Sequence, residues 1–320
     1  MFNDCKQIMT VSQMKNRTNW LKVRSQGIGG SDAGAILGLN KYKGPMAVYL
    51  EKTGQVEPED ISSKPAVIAG QMLEPVVALM FEEATGKKVR RMGTLQSIEN
   101  PWMHANPDRV IIGEDAGLEI KTGGAWSKGL WADDNIPDSY YIQCLHYLAV
   151  TGADRWYVAA WLGGQDFVTR TIDRREDEIR ELVKEESKFW DRVQNHTPPE
   201  VDGSFSCGEG LKQLYKDEFH DSEIELPEEI GQLFDEYDNI QKLIKADKAH
   251  EQEIKNQFMA TLQNHQVGWY GTRRVTWKAP KPSEGIRLSE IKKEAPDLYE
   301  SLKKRGLVHE RPVERRLRIY

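Results

Sequence analysis

The pattern of apolar and polar residues changes once along the chain, near residue 203. Before that point, segments with apolar residues at every second position alternate with segments whose apolar residues recur every three or four positions. The run Thr197-Pro198-Pro199 and the Gly/Ser-rich stretch after it are typical of a domain boundary. The pattern therefore predicts a compact domain over residues 1–203 and an extension over residues 204–320.

The first region predicts a mixed α/β (α+β) fold. Helical spacing predicts helices over residues 32–39, 70–85, 139–150 and 174–194, the first of them capped by Ser31. Alternating and apolar runs predict strands over residues 89–95, 105–112, 117–122, 156–162 and 167–172. Turn residues 113–116 join two of these strands into a hairpin.

The extension carries a different pattern, dominated by one long helical stripe. Its apolar residues predict a helix over residues 227–264, either one long arm or a helical hairpin broken at the charges of residues 247–253. A strand pair over residues 267–278, a short helix over 288–305 and a final strand over 315–320 follow.

Composition limits the function classes. The chain is 39% hydrophobic and 29% charged, as in ordinary globular proteins, and it has neither a signal-peptide core nor a run of about 18 apolar residues. The three cysteines are too widely spaced for a disulfide framework or a CxxC metal site, so we expect a reduced, cytoplasmic protein. A net charge of -6 argues against coating nucleic acid by bulk charge, although a local basic track is compatible with it.

The predicted hairpin carries three candidate catalytic residues, Asp108, Glu119 and Lys121. Glu119 and Lys121 share one face of the strand over 117–122, and hairpin closure brings Asp108 toward Glu119. The two carboxylates and the Ile120 carbonyl are the oxygen ligands that Mg²⁺ or Mn²⁺ prefers. Lys121 would position or deprotonate the attacking water. The hairpin therefore predicts metal-dependent phosphodiester hydrolysis.

A charged, solvated edge strand explains the same residues. From 50 acidic and 44 basic residues in 320, an acid two positions before a Lys or Arg is expected about seven times by chance. Three further features favour a site. Glu74 lies on an otherwise apolar helix, Gln143 lies between Tyr140 and Tyr147 on one helix face, and Arg24 with Ser31 at a helix start can bind a terminal phosphate. Each also has an ordinary reading as a surface glutamate, core packing or a glycine-rich turn.

The order of these motifs resembles that of the YqaJ-like viral recombinases, relatives of phage lambda exonuclease in the PD-(D/E)xK nuclease superfamily. The resemblance spans about residues 18–195. The matching motifs are Arg24, Gly29-Gly30-Ser31-Asp32, Glu74, Asn106-Pro107-Asp108, Leu118-Glu119-Ile120-Lys121-Thr122 and Tyr140-x-x-Gln143-x-x-x-Tyr147.

The resemblance implies a restriction-endonuclease-like core, with a central mixed sheet flanked by helices, and an Mg²⁺-dependent exonuclease that digests one strand of duplex DNA from its 5′ end. By position, Asp108, Glu119 and the Ile120 carbonyl would hold metal, Glu74 would assist, and Lys121 would handle the water. The 5′-phosphate would contact Arg24, Ser31 and Gln143, with Tyr140 nearby. Asn106 stands where some relatives have a phosphate-binding serine, so its contact differs.

The resemblance further implies double-stranded DNA ends as substrate, a single-strand annealing protein as partner, a trimeric ring and a phage or prophage origin in a bacterial cell, with no membrane association. A structure-specific or nicking endonuclease, and a non-catalytic DNA-end-binding adaptor, are the alternatives. Trp126 and Trp131 either pack in the core or stack on unpaired bases. The extension would lengthen the DNA channel, join subunits, dock the annealing partner or brace the fold.

Overall fold

A computed structural model of the chain describes residues 2–58, 60–217, 222–281 and 285–308. The predicted final strand over 315–320 lies outside these residues. Two units are distinguished, Met1–Lys216 and Asp217–Tyr320. The first unit extends beyond residue 203 because helix Phe205–Leu214 packs in it, with the Gly210 Cα against Leu50 and Cys207 fully buried.

The first unit is mixed α/β, as the sequence predicts. Its strands are β1 Cys5–Met9, β2 Ile28–Gly29, β3 Val89–Arg90, β4 Thr94–Ser97, β5 Met103–Ala105, β6 Arg109–Ile111, β7 Ala116–Gly123, β8 Arg155–Leu162 and β9 Asp166–Asp173. Its α-helices are α1 Arg17–Ser25, α2 Gly30–Ile36, α3 Pro45–Lys52, α4 Pro65–Thr85, α5 Asp138–Thr151, α6 Glu176–Gln194 and α7 Phe205–Leu214. Short 3-10 helices cover Gln13–Lys15 and Ala125–Trp131.

Two mixed sheets form the framework of this unit. The five-stranded sheet has the order β3-β6-β7-β8-β9, in which only β7 and β8 run parallel. The four-stranded sheet has the order β1-β4-β5-β2, with β5 and β2 parallel. The larger sheet is the central mixed sheet that the sequence predicts.

Helices cover both faces of the five-stranded sheet. Phe81 of α4 packs in one core cluster with Leu118 and Ile120 of β7. On the opposite face, Leu148 of α5 packs in another cluster with Trp156 of β8. Because side chains alternate along a strand, the face of β7 that carries Glu119 and Lys121 is the face toward α5. Strand β7 therefore presents Glu119 and Lys121 toward α5 and its apolar residues toward α4.

The predicted strand over residues 105–112 is wrong as a single element. Its residues belong to β5 in one sheet and β6 in the other, and Pro107, which has no N–H to donate, lies in the connection between them. The predicted strand over 89–95 is likewise divided between β3 and β4. There Gly93 passes so close to β1 that a Cβ would lie 1.9 Å from the Met9 carbonyl oxygen. Ser31 is not a helix cap, because α2 begins at Gly30 with Gly29 as its N-cap.

Helix α4 is the one helix in the described ranges whose length and apolar composition would suffice to cross a membrane. Its apolar residues also have a place in the core: Val77 and Phe81 are fully buried against the sheet. Packing of a core helix therefore accounts for part of this apolar character.

Over residues 222–281 and 285–308, the second unit forms one long helix, a strand pair and two short helices. Helix α8, Glu229–Leu262, is continuous over 34 residues, so of the two predicted forms the structure has the long arm. Strands β10 Val267–Tyr270 and β11 Arg273–Thr276 form the predicted hairpin. The predicted helix over 288–305 is two helices, α9 Leu288–Glu294 and α10 Pro296–Lys304, because Pro296 cannot continue α9 and instead begins the next helix.

Gly117 leaves the space that Trp156 occupies. The two residues are directly paired on β7 and β8, and a Cβ on Gly117 would lie 2.1 Å from Trp156 Cζ2. We expect Gly117→Ala to lower the free energy of unfolding by about 1–3 kcal/mol or more, since the fully buried indole has no room to move. Denaturant unfolding measures this. Gly129→Ala, where no atom lies within 4 Å of the added Cβ, is the control, and equal losses in both variants would contradict the prediction.

Candidate active site

Asp108 lies directly before the start of β6, and Glu119 lies beside it within β7. Asp108 Oδ2 accepts a hydrogen bond from the Ile120 backbone N–H at 2.7 Å, which fixes the carboxylate against β7. Burial, followed by the nearby charge of Glu119, raises the pKa of Asp108 well above its ordinary value. Two carboxylates are therefore held together in a setting that disfavours their joint negative charge.

Lys121 and Gln143 bond directly to the Glu119 carboxylate. The Lys121 Nζ lies 2.6 Å from Glu119 Oε1 and 2.9 Å from Gln143 Oε1, while Gln143 Nε2 donates to the same Glu119 oxygen at 2.7 Å. Burial alone lowers the pKa of Lys121, but the charge and hydrogen bond of Glu119 outweigh it, so the pKa is raised. Lys121 is therefore an ammonium group in this arrangement. The structure brings Asp108, Glu119, Lys121 and Gln143 together.

These oxygen atoms fit a hard divalent cation. Glu119 Oε2 is buried and has no hydrogen-bond partner among the residues that the structure describes. Because the N–H and C=O of one strand residue point to the same edge, the Ile120 carbonyl faces the side on which Asp108 accepts the Ile120 N–H. A cation here would satisfy the orphaned oxygen and offset the repulsion between the two carboxylates.

Glu74 lies close to this group but has a different partner. Its Oε1 bonds to the Arg109 guanidinium at 2.5 Å and lies 3.7 Å from Arg91. Its charge contributes to the raised pKa of Asp108, after larger effects of burial and Glu119. In the described part of the chain, no three Asp, Glu, His or Cys side chains form a ready metal cluster. Arg109, which belongs to none of the sequence motifs, is the buried partner of Glu74.

Arg24 and Ser31 form a second polar group, at the start of α2. Arg24 Nη2 donates to Ser31 Oγ at 2.8 Å, as their predicted pairing requires. The first backbone N–H groups of α2 lie at the same end of the helix, where the helix dipole favours an anion. This group presents a guanidinium, a hydroxyl and backbone donors to one place.

Asp32 lies beneath this group and collects three cations. Its carboxylate is 1% exposed and lies 2.7 Å from Lys52, 3.3 Å from Arg24 and 3.6 Å from Lys43. Burial raises the pKa of Asp32, but the three cations outweigh it and hold the pKa well below its ordinary value. One buried anion with three cations leaves a net positive charge around Ser31. Asp32 is thus a positioning residue for Arg24 that the sequence analysis left without a role.

Residues of both polar groups line one cavity of about 130 Å³, although Lys121, which contacts Glu119 and Gln143, is not among the lining residues. The tight packing of Gly30 allows this, since a Cβ there would lie 2.5 Å from the Tyr147 ring and 3.0 Å from Gln143 Cγ. The cavity lining includes Arg24, Ser31, Asn106, Asp108, Glu119, Gln143 and Tyr147. His104 also lines it, with a pKa lowered to about 4 by burial and by the Lys52 charge, so this imidazole is neutral.

Asn106 and Tyr140 have partners at the edge of this arrangement. Asn106 Oδ1 accepts from the Thr94 hydroxyl at 2.7 Å. The Tyr140 ring lies 4.5 Å from Lys121 Nζ and packs against Trp131. Trp131 is buried in the core, whereas Trp126 is 70% exposed, with the Lys41 amine 4.7 Å from its ring centroid. Core packing therefore explains Trp131 and not Trp126.

Known proteins are similar to this chain over the segment that carries the candidate site. A family model described as the YqaJ-like viral recombinase domain matches residues 19–154, the segment from Arg24 to Gln143 included. An uncharacterised Bacillus subtilis (strain 168) protein named YqaJ is 37% identical over 302 residues, which is 93% of this chain and 94% of that protein. The chain belongs to the YqaJ-like viral recombinase family. The relative's coverage includes the second unit, so both units are shared within the family.

The fold is similar to that of a solved nuclease. An alkaline exonuclease from Laribacter hongkongensis, crystallised alone and in complex with dAMP, is 17% identical. It covers 56% of this chain and 94% of its own, with TM-scores of 0.49 and 0.50 respectively. The restriction-endonuclease-like mixed α/β fold expected from the sequence is confirmed.

Proposed function

We propose that the chain is an Mg²⁺-dependent deoxyribonuclease that digests one strand of linear duplex DNA from its 5′ end. One observation carries the proposal: the carboxylates of Asp108 and Glu119 line the same cavity as Arg24 and Ser31. A phosphate-binding group beside a cutting centre favours cleavage next to a strand end. Membership of a viral recombinase family and the fold of an alkaline exonuclease support the same activity.

Mg²⁺ bound by Asp108, Glu119 and the Ile120 carbonyl would neutralise charge on the scissile phosphate and activate a water molecule, with Mn²⁺ as a substitute. The chain supplies the rest. Lys121 as an ammonium group orients the attacking water by donating to it and stabilises negative charge on the phosphate, and Gln143 fixes the amine. A raised pKa is unsuited to proton abstraction. Of the two roles expected for Lys121, we therefore propose positioning.

Arg24 and Ser31 are proposed to hold the 5′-terminal phosphate, with Asn106, Gln143 and Tyr140 around it. Glu74 is proposed to assist the metal site once its ion pair with Arg109 opens. In recombination, the single strand left by digestion would pass to an annealing protein, and a trimeric ring would keep the enzyme on its substrate. A bacterial cytoplasm, in a phage or prophage context, is the expected setting.

Arg24→Ala is expected to remove the preference for 5′-phosphorylated ends. Linear duplexes with 5′-phosphate or 5′-hydroxyl ends would be digested with Mg²⁺, with EDTA as the blank, and the ratio of the two rates measured. Because a charge-assisted hydrogen bond contributes about 1.5–3 kcal/mol, the parent's ratio should fall about tenfold or more in the variant.

Arg17→Ala is the matched control for this experiment. Arg17 lies on the same helix and pairs with the exposed Asp60, so its removal changes the charge of α1 but not the cavity. An unchanged ratio in Arg24→Ala would count against an end-directed exonuclease. Cleavage of covalently closed circular DNA would instead support a nicking or structure-specific endonuclease, and end binding without turnover a non-catalytic adaptor.

A further inference from the structure

The strand pair of the second unit has one covered face and one open face. On the covered face, the Gly268 Cα lies against α8, since a Cβ there would lie 2.9 Å from Leu262 Cδ2. Trp269 is the next residue along β10 and therefore points to the opposite face. It is paired directly with Arg274 of β11. The open face thus carries an indole and a guanidinium side by side.

Three large aromatic side chains of this strand pair are exposed. Trp269 is 65% exposed, Tyr270 at the turn is 89% exposed, and Trp277, which continues β11, is 49% exposed. Such rings stabilise a fold when they are buried, so none of the three contributes fully to packing in this unit. By strand alternation Tyr270 and Trp277 lie on the face of Gly268, so Trp269 is the exposed ring of the open face, beside Arg274.

The charged residues of the strand pair and its flanking residues, 264–281, are all basic. Residues 264–281 include Arg273, Arg274, Lys278 and Lys281 and no acidic residue, in a chain whose net charge is -6. The Arg274 guanidinium lies 5.9 Å from the Trp269 ring centroid. Neither Arg273 nor Arg274 forms an ion pair with any residue in the described ranges. The complement of this surface is a polyanion that also offers flat apolar groups.

We propose that Trp269 and Arg274, side by side on the open face, form a binding site for single-stranded nucleic acid, here called the aromatic hairpin. Bases stack on the Trp269 indole and the arginine contacts the phosphates. A duplex does not fit as well, because its bases are already stacked on one another. An acidic protein segment would satisfy the arginine but not the indole. Binding at these residues does not depend on cleavage.

Fluorescence anisotropy of a labelled oligonucleotide of about 15 thymidines, titrated with the full chain in EDTA, tests this proposal. The double variant Trp269→Ala with Arg274→Ala should bind at least about tenfold more weakly than the parent. Trp269→Phe should lose less, since a phenyl ring still stacks. Arg274→Glu alone, a change at an exposed position, should also weaken binding strongly and covers the case in which the double variant does not fold.

Tyr237→Ala with Lys245→Ala is the control, because it removes one ring and one charge from α8 at positions about 38 Å and about 25 Å from the helix end that precedes the hairpin, at 1.5 Å per residue. Its affinity should stay close to that of the parent. Equal binding by the Trp269 and Arg274 double variant and the parent would overturn the proposal, and so would an equal loss in the control. Displacement of the oligonucleotide by polyglutamate as readily as by unlabelled DNA would also overturn it, by showing a general polyanion site.

Discussion

Lys121→Ala is expected to lower the rate of DNA cleavage by about 10²- to 10³-fold, the loss typical of removing one electrostatic donor from an active site. The physical reason is the position of the ammonium group, 2.6 Å from Glu119 and held by Gln143. Its loss would remove the cation that we propose acts on the phosphate, and it would leave the Gln143 side-chain oxygen without the donor it has in the parent. The initial rate on linear duplex DNA with saturating Mg²⁺ measures this effect.

Lys128→Ala is the matched control for this change. Lys128 lies in the 3-10 helix just after β7 and pairs with Asp166 at 2.6 Å. The Lys128→Ala substitution therefore removes the same charge as Lys121→Ala, but outside the cavity. Its rate should stay close to the parent's. Binding of blunt duplex in EDTA should be similar in all three proteins, since the effect is on the chemical step. Full activity in Lys121→Ala would exclude the proposed role of Lys121 in cleavage. The ion pair between Lys121 and Glu119 would then have only a structural role.

The central elements of the fold follow from local patterns. Strands β7, β8 and β9 and helices α5 and α6 lie within a few residues of their predicted bounds, because each buries a face whose spacing is visible in a short window. The division of residues 105–112 between two sheets does not follow from a local pattern. Ala105 pairs with Leu95 of β4 and Arg109 with Leu118 of β7, and the pattern within residues 105–112 does not show that these partners belong to different sheets. Only Pro107 indicates a break in the strand.

Sequence motifs reveal the candidate site residues that form them, but they do not reveal the buried charged residues that pair with those residues. Asp108, Glu119 and Lys121 follow a known spacing, and the structure brings them together. Asp32 and Arg109 are buried charges, and in a single sequence a buried charge looks like a surface one. Their role is set by partners far along the chain, Lys52 for Asp32 and Glu74 for Arg109.

Glu186 was missed although the sequence carries a signal for it. The buried positions of α6 are Ile179, Leu182, Glu186, Phe189 and Val193, a regular helical stripe in which one member is a carboxylate. The surrounding residues of α6 are also rich in charge, which conceals it. A charged residue at an apolar position of such a stripe indicates a buried partner, and here that partner is His146.

The ion pair between His146 and Glu186 joins α5, the helix that carries Gln143, to α6. His146 also bonds to β5, the strand that precedes Asp108. Both side chains are fully buried, with His146 Nδ1 2.8 Å from Glu186 Oε1 and Nε2 3.0 Å from the His104 carbonyl. Burial lowers the pKa of His146, but the Glu186 charge and both hydrogen bonds outweigh it and raise the pKa. A protonated imidazole can donate to both acceptors at once.

Glu186→Ala is therefore expected to lower the free energy of unfolding by about 3–5 kcal/mol near neutral pH, because it leaves a buried histidine without its counter-charge. Glu186→Gln should lose less, since an amide can still bond to the neutral ring. Glu185→Ala, at the neighbouring exposed position, should change stability little. Urea unfolding followed by tryptophan fluorescence measures this, as seven of the nine tryptophans lie in the first unit.

The dependence on pH separates the ion pair from simple packing. A pKa raised in the folded state gives a stabilisation that is complete below the ordinary histidine value of 6.5 and is lost as the pH rises through the folded-state value. The stability difference between the parent and Glu186→Gln should thus be largest below pH 6.5 and shrink as the pH rises through the raised folded-state pKa of His146. A difference that stays constant over this range would show that Glu186 contributes by shape and hydrogen bonding alone, with His146 neutral throughout.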